Sequence, residues 1–184
     1  SAPIAATLLA CLDAQGPRPG NEVISTALDV LAGSDAGIAR DLLWQAAEHA
    51  RNARVRVEAI RRSGPITTPE RLALLRTWAR EGFQPIVSFQ HDQIGLDSIR
   101  EAAITAIGQA KHPSNEDIET IVESLTPPAN QAQFSPIVFN AACDAYWSAG
   151  DVASLPNLVG LISKRWRGDT GASLAGLAAK FSAK

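Results

Sequence analysis

A six-residue pattern recurs along this chain: Val55-Arg56-Val57-Glu58-Ala59-Ile60, Ile99-Arg100-Glu101-Ala102-Ala103-Ile104 and, more faintly, Val138-Phe139-Asn140-Ala141-Ala142-Cys143. The copies lie about forty residues apart, a period that marks a helical repeat array. Each opens an amphipathic helix with a β-branched residue and sets small alanines where a neighbouring helix must approach closely. A second helix rich in leucine or isoleucine follows each copy. The chain therefore reads as a stack of helix pairs, an architecture that serves binding first and catalysis rarely.

Composition agrees with a helical stack. The 184 residues suit one domain spanning 1–184, large enough to bury a core without disulfides or metal. Hydrophobic residues make up 46% of the chain but aromatic ones only 5%, which favours helices packed through small side chains over a β-sandwich. The two cysteines, Cys11 and Cys143, fall on apolar helical faces and are expected to be free buried thiols. No run of apolar residues is long enough for a transmembrane helix. A charged segment followed by a hydrophobic run is also lacking, so the segment shows no secretory signal and a cytoplasmic location is expected. The opening Ser1-Ala2-Pro3 fits initiator removal, signal cleavage or excision from a longer polypeptide.

Helix boundaries follow from breakers and caps. Residues 4–14 read as a first helix ended by Gly16-Pro17-Arg18-Pro19-Gly20. Asn21 is the expected cap of a helix over 22–32, with Gly33 as its stop, and Ser34 or Asp35 caps 36–50, in which Trp44 and His49 fall nearer the flanks. Helix 53–63 ends at Ser63-Gly64-Pro65, and Thr67 or Thr68 with Pro69 starts helix 69–81. Residues 83–95 contain Pro85 and no helical period, so they form the longest insertion. Helices over 97–110, 116–125 with Asn115 as cap, and 136–149 come next, and a last pair covers 152–166 and 170–182. The clearest repeats are 52–126 and 135–166.

At the echoed helices the chain resembles HEAT repeats, particularly the type seen in phycobilisome-lyase-like proteins, whose first helix begins Asp-x-x-Val-Arg-x-x-Ala. Asn52-Ala53-Arg54-Val55-Arg56-Val57-Glu58-Ala59 matches with asparagine for aspartate. The segment from Leu96 to Gly108 matches better in its body, with Asp97 one place late, and the third copy replaces the arginine by Phe139. The resemblance covers about 52–126 and implies an all-α, right-handed α-solenoid of HEAT-like helix pairs, about ten helices in all. It implies structure, with acid and arginine stitching neighbouring repeats, and no particular chemistry.

Charge is distributed unevenly. Residues 51–80 hold eight arginines against Glu58 and Glu70, net +6, whereas 81–163 hold Arg100 and Lys111 against ten acids, net -8. Such a stripe either grips a phosphate backbone or an acidic protein, or consists of arginines paired with acids of the adjacent repeat. Arg54, Arg61, Arg62 and Trp78 are the candidate contacts on the array, and Phe83, Phe89 and His91 those in the 83–95 insertion. His91-Asp92 is too small a set to hold a metal, and no phosphate loop, nucleophile elbow or metal-binding helix motif occurs. No cofactor is expected.

These features give a non-catalytic protein-interaction or scaffold module that docks a protein partner on its concave face and the 83–95 loop. Nucleic-acid binding through the 51–80 unit is the alternative. The tryptophans and arginines also resemble, distantly, those of HEAT-like DNA glycosylases. A helical accessory domain of a larger enzyme is the third reading.

Overall fold

A computed structural model describes residues 21–34, 37–50, 52–81, 96–125 and 135–149. The expected helices 4–14, 152–166 and 170–182 and the 83–95 insertion lie outside the described residues, as does Cys11. Within them every regular element is helical: α1 Asn21–Ala32, α2 Gly37–His49, α3 Ala53–Ser63, a 3-10 turn Gly64–Ile66, α4 Pro69–Glu81, α5 Leu96–Gly108, α6 Asn115–Ser124 and α7 Pro136–Ala149. No described helix is long and apolar enough to cross a membrane.

The helix starts follow local chemistry. The Asn52 side chain accepts the Arg54 and Val55 N–H groups at 3.0 and 3.4 Å, so the asparagine that replaces the expected aspartate still caps α3. Thr68 Oγ1 accepts the Arg71 N–H at 3.4 Å and leaves Pro69 as the first residue of α4, where a missing N–H has no consequence. At α6 the cap is Ser114 rather than Asn115. Ser114 Oγ accepts the Asp117 N–H, and the Asp117 carboxylate accepts the Ser114 N–H in return, closing a capping box.

The echoed positions form the core. Val55, Ile99 and Val138 are buried, as are Ala59, Ala103 and Ala142 four residues on and Ile60, Ile104 and Cys143 beside them. The Cys143 side chain is part of this core. Burying each large aliphatic side chain contributes about 1.5–3 kcal/mol, whereas the alanines contribute mainly by letting helices approach. Two glycines extend this logic. A Cβ built on Gly64 would overlap the Ala106 carbonyl, and one built on Gly108 would overlap the Ala145 backbone. Because α3 meets α5 at the first and α5 meets α7 at the second, both glycines fix how closely these helices approach.

The helices form two rows. α1, α3, α5 and α7 contact one another in series, while α4 contacts α6 and α2 reaches α4 through tryptophan and arginine side chains. The strongest pairings between rows join α2 to α3, α4 to α5 and α6 to α7. This differs from the expected unit of 53–63 with 69–81, since α3 and α4 share no substantial contact. The 3-10 turn between them packs on both α3 and α5. α5 consequently has neighbours on all sides, and Ala102, Ala103, Ile104, Ala106 and Ile107 are all buried.

Candidate interaction surface

Six of the eight arginines counted as a basic stripe are tied by hydrogen bonds to neighbouring helices, Arg56, Arg61, Arg62, Arg71, Arg76 and Arg80. Arg62 on α3 reaches back to α1, donating from Nε to Asp29 at 2.6 Å and from Nη2 to Ser25 Oγ at 2.7 Å. Arg61 reaches forward to α5, donating from Nη2 to Glu101 at 2.5 Å. Both also bond Glu58 on their own helix. In the second row, Arg71 of α4 pairs with Asp41 of α2 at 3.0 Å, and Arg76 reaches α6 at Asp117 (2.7 Å) and Glu116 (3.0 Å). Arg80 pairs with Glu123 at 2.7 Å.

A second set of arginines addresses helix ends. Arg56 donates to the main-chain carbonyls of Ala47 and Glu48 at the close of α2, at 3.3 and 2.8 Å. Arg100 donates to the carbonyl of Ala79 at the close of α4, at 3.0 Å. A guanidinium suits this post because the last carbonyls of a helix lack partners and carry the negative end of its dipole.

In several pairs the acid is the more exposed partner, although Arg61 at 33% is more exposed than Glu101 at 21%, and Asp117 beside Arg76 is fully buried. Arg62 is 18% exposed against 63% for Asp29, Arg71 27% against 67% for Asp41, and Arg76 14% against 60% for Glu116. A stretch that is strongly cationic in the sequence therefore offers solvent its borrowed carboxylates. The electrostatics agree. Burial alone would lower the Arg61 pKa, but Glu101 and Glu58 outweigh it and raise it, while burial lowers that of Arg56. Burial likewise opposes ionisation of Glu58, yet Arg62 and Arg61 together hold its carboxyl below the usual value.

The candidate contacts fall into different places. Arg54 is exposed, and among the described residues no ion pair involves it. Arg61 and Arg62 are half-buried in the network above. Trp78 is buried and packs on Trp44, with ring centroids 6.3 Å apart, so neither ring lies on the surface. Arg71 covers the other tryptophan at 5.0 Å from its centroid. Phe83, Phe89 and His91 lie outside the described residues, and among the described ones no three His, Cys, Asp or Glu side chains gather as a metal ion requires.

The sequence allowed pairing with acids of the adjacent repeat but did not single out Asp29, Asp41, Glu116 and Glu123. The available signal was the separation of each from its arginine, between 30 and 43 residues, close to one repeat. The outward side of the second row is formed by Ile38, Asp41 and Gln45 on α2, Ala73 and Thr77 on α4, and Glu119 and Glu123 on α6, all exposed. No protein-family model, no curated protein and no solved structure matches the chain.

Proposed function

We propose that the chain is a non-catalytic protein-interaction module, a right-handed α-solenoid of HEAT-like helix pairs that docks a partner on the outward face of α2, α4 and α6. The two-row order of the described helices supports the solenoid, as do the burial of every echoed apolar position and the matching posts of Arg56 and Arg100. The carrying observation is that on this face Asp41, Glu116 and Glu123 are each more exposed than the arginine they pair with. On this face a phosphate backbone would meet the exposed carboxylates of Asp41, Glu116, Glu119 and Glu123, and nucleic-acid binders need the opposite. A protein partner needs shape, and Ala73 and Thr77 give α4 a low, uncharged ridge between its acidic neighbours that another helix or strand can approach.

The test compares wild type with an Ala73→Arg/Glu119→Lys variant in co-purification from the native extract, with and without nuclease. Circular dichroism checks that both are folded. The expected result is a stoichiometric protein partner that survives nuclease and is lost in the variant. Binding to an oligonucleotide with a steep salt dependence, weakened by Arg54→Glu, would replace this reading with the nucleic-acid one.

A further inference from the structure

Glu58 is shared by two arginines that reach in opposite directions. Its Oε1 accepts from Arg61 Nη1 and its Oε2 from Arg62 Nη1, so both carboxylate oxygens are engaged. Each guanidinium uses its remaining donors on another helix: Arg62 binds Asp29 and Ser25 on α1, and Arg61 binds Glu101 on α5. Arg62 Nη1 is further steadied by the Glu58 carbonyl at 3.3 Å. The result is one ionic chain, Asp29–Arg62–Glu58–Arg61–Glu101, running across three successive helices of the first row.

We infer that this chain is a conformational coupler, through which the seating of α5 on α3 governs the seating of α1 on α3. The guanidinium is a rigid planar fork, so fixing one Nη at Glu58 sets the direction of the donors at the far side. When Glu101 is lost, Arg61 turns both its donors to Glu58, and the carboxylate shifts away from Arg62. Arg62 then reorients relative to Asp29 and Ser25, although α1 never touches Glu101. The half-buried position of Glu58, Arg61 and Glu101, at 21–33% exposure, limits solvent screening along the route. These residues are separate from Arg56 and Arg100, whose bonds run between the rows, so the coupler is an additional device along one row.

Amide hydrogen exchange read helix by helix tests the proposal. Glu101→Gln is expected to lower protection about two- to fivefold in α1 as well as in α5, the range expected for residues joined in one network. The same substitution in an Arg61→Lys background, which keeps the cation and removes the fork, should lower protection in α5 alone. Glu58→Gln is the second background and should behave like Arg61→Lys. Unchanged α1 protection in Glu101→Gln would overturn the inference. So would an α1 response that persists in either background, because the signal would then pass through the apolar core.

Discussion

Arg100 donates to the main-chain carbonyl of Ala79 two residues before the end of α4, and Arg56 makes the same contact with Ala47 two residues before the end of α2. The repeat is thus chemical as well as sequential, since equivalent arginines hold equivalent helix ends. Replacing either by methionine keeps most of the stem and deletes the donors. Each change is expected to cost about 1.5–3 kcal/mol, the range for a hydrogen bond from a charged group. Lysine should recover only part of this, since it lacks the fork that lets Arg56 reach two carbonyls. Urea unfolding of the three variants at each position measures the difference. The third copy carries the buried Phe139 in place of the arginine.

Gly64 and Gly108 sit where an added Cβ would overlap the backbone of a neighbouring helix, and alanine at either should be destabilising. The added methyl meets main-chain atoms of Ala106 or Ala145, which cannot rotate aside as a flexible side chain would. The expected cost is about 1–3 kcal/mol each, typical of overpacking. Gly37, at the start of α2, has nothing within 4 Å of its would-be Cβ. Alanine there should stabilise by about 0.4–1 kcal/mol through the unfolded chain. Thermal unfolding of the three alanine variants checks both signs at once.

Local signals carried the helices well and their partners poorly. Helices α3, α4 and α7 begin and end where breakers and prolines place them, because those signals act within a few residues. Trp44 shows where such reasoning stops. Its position on α2 suits a flank, yet the helix is enclosed on more than one side, and Trp78 from α4 makes that flank part of the core. The arginines show the same limit. Their number is plain from composition, but whether they face a ligand or a neighbouring acid depends on pairings 30 or more residues apart. Periodicity along one helix is silent about such pairings. The cap of α6 is a smaller case: Ser114 and Asn115 are both good caps, and the reciprocal bond from Asp117 selects the serine.

Asp117 should give the protein an acid-sensitive limb. Its side chain is fully buried. Burial would raise its pKa, but the Ser114 hydroxyl and N–H and the Arg76 guanidinium more than offset this and hold it below the ordinary 3.8. A folded pKa below the unfolded one means that the stabilisation is complete above the unfolded value and is lost as pH falls through the folded value. Asp117→Asn should therefore be less stable than wild type at neutral pH, by about 1–3 kcal/mol. The gap between the two should narrow as pH drops below about 4. Urea titrations across that range measure the convergence. A gap that stays constant would mean that the carboxylate contributes shape and not charge.

Trp44 combines a well-packed ring with an indole N–H that is buried and has no acceptor. Two effects of opposite sign follow from its replacement. Trp44→Phe leaves a cavity of a few heavy atoms, costing on the order of 1 kcal/mol, and removes an orphan donor whose burial costs about 1–3 kcal/mol. The two nearly cancel, so this variant should lie within about 1 kcal/mol of wild type. Trp44→Ala removes the same donor but also the whole ring that Trp78 and Arg71 pack against, and should cost about 3–5 kcal/mol. Unfolding free energies of the two variants decide the matter. A phenylalanine variant as damaged as the alanine one would show that the N–H holds an acceptor in solution and that the ring's packing is the lesser part of its contribution.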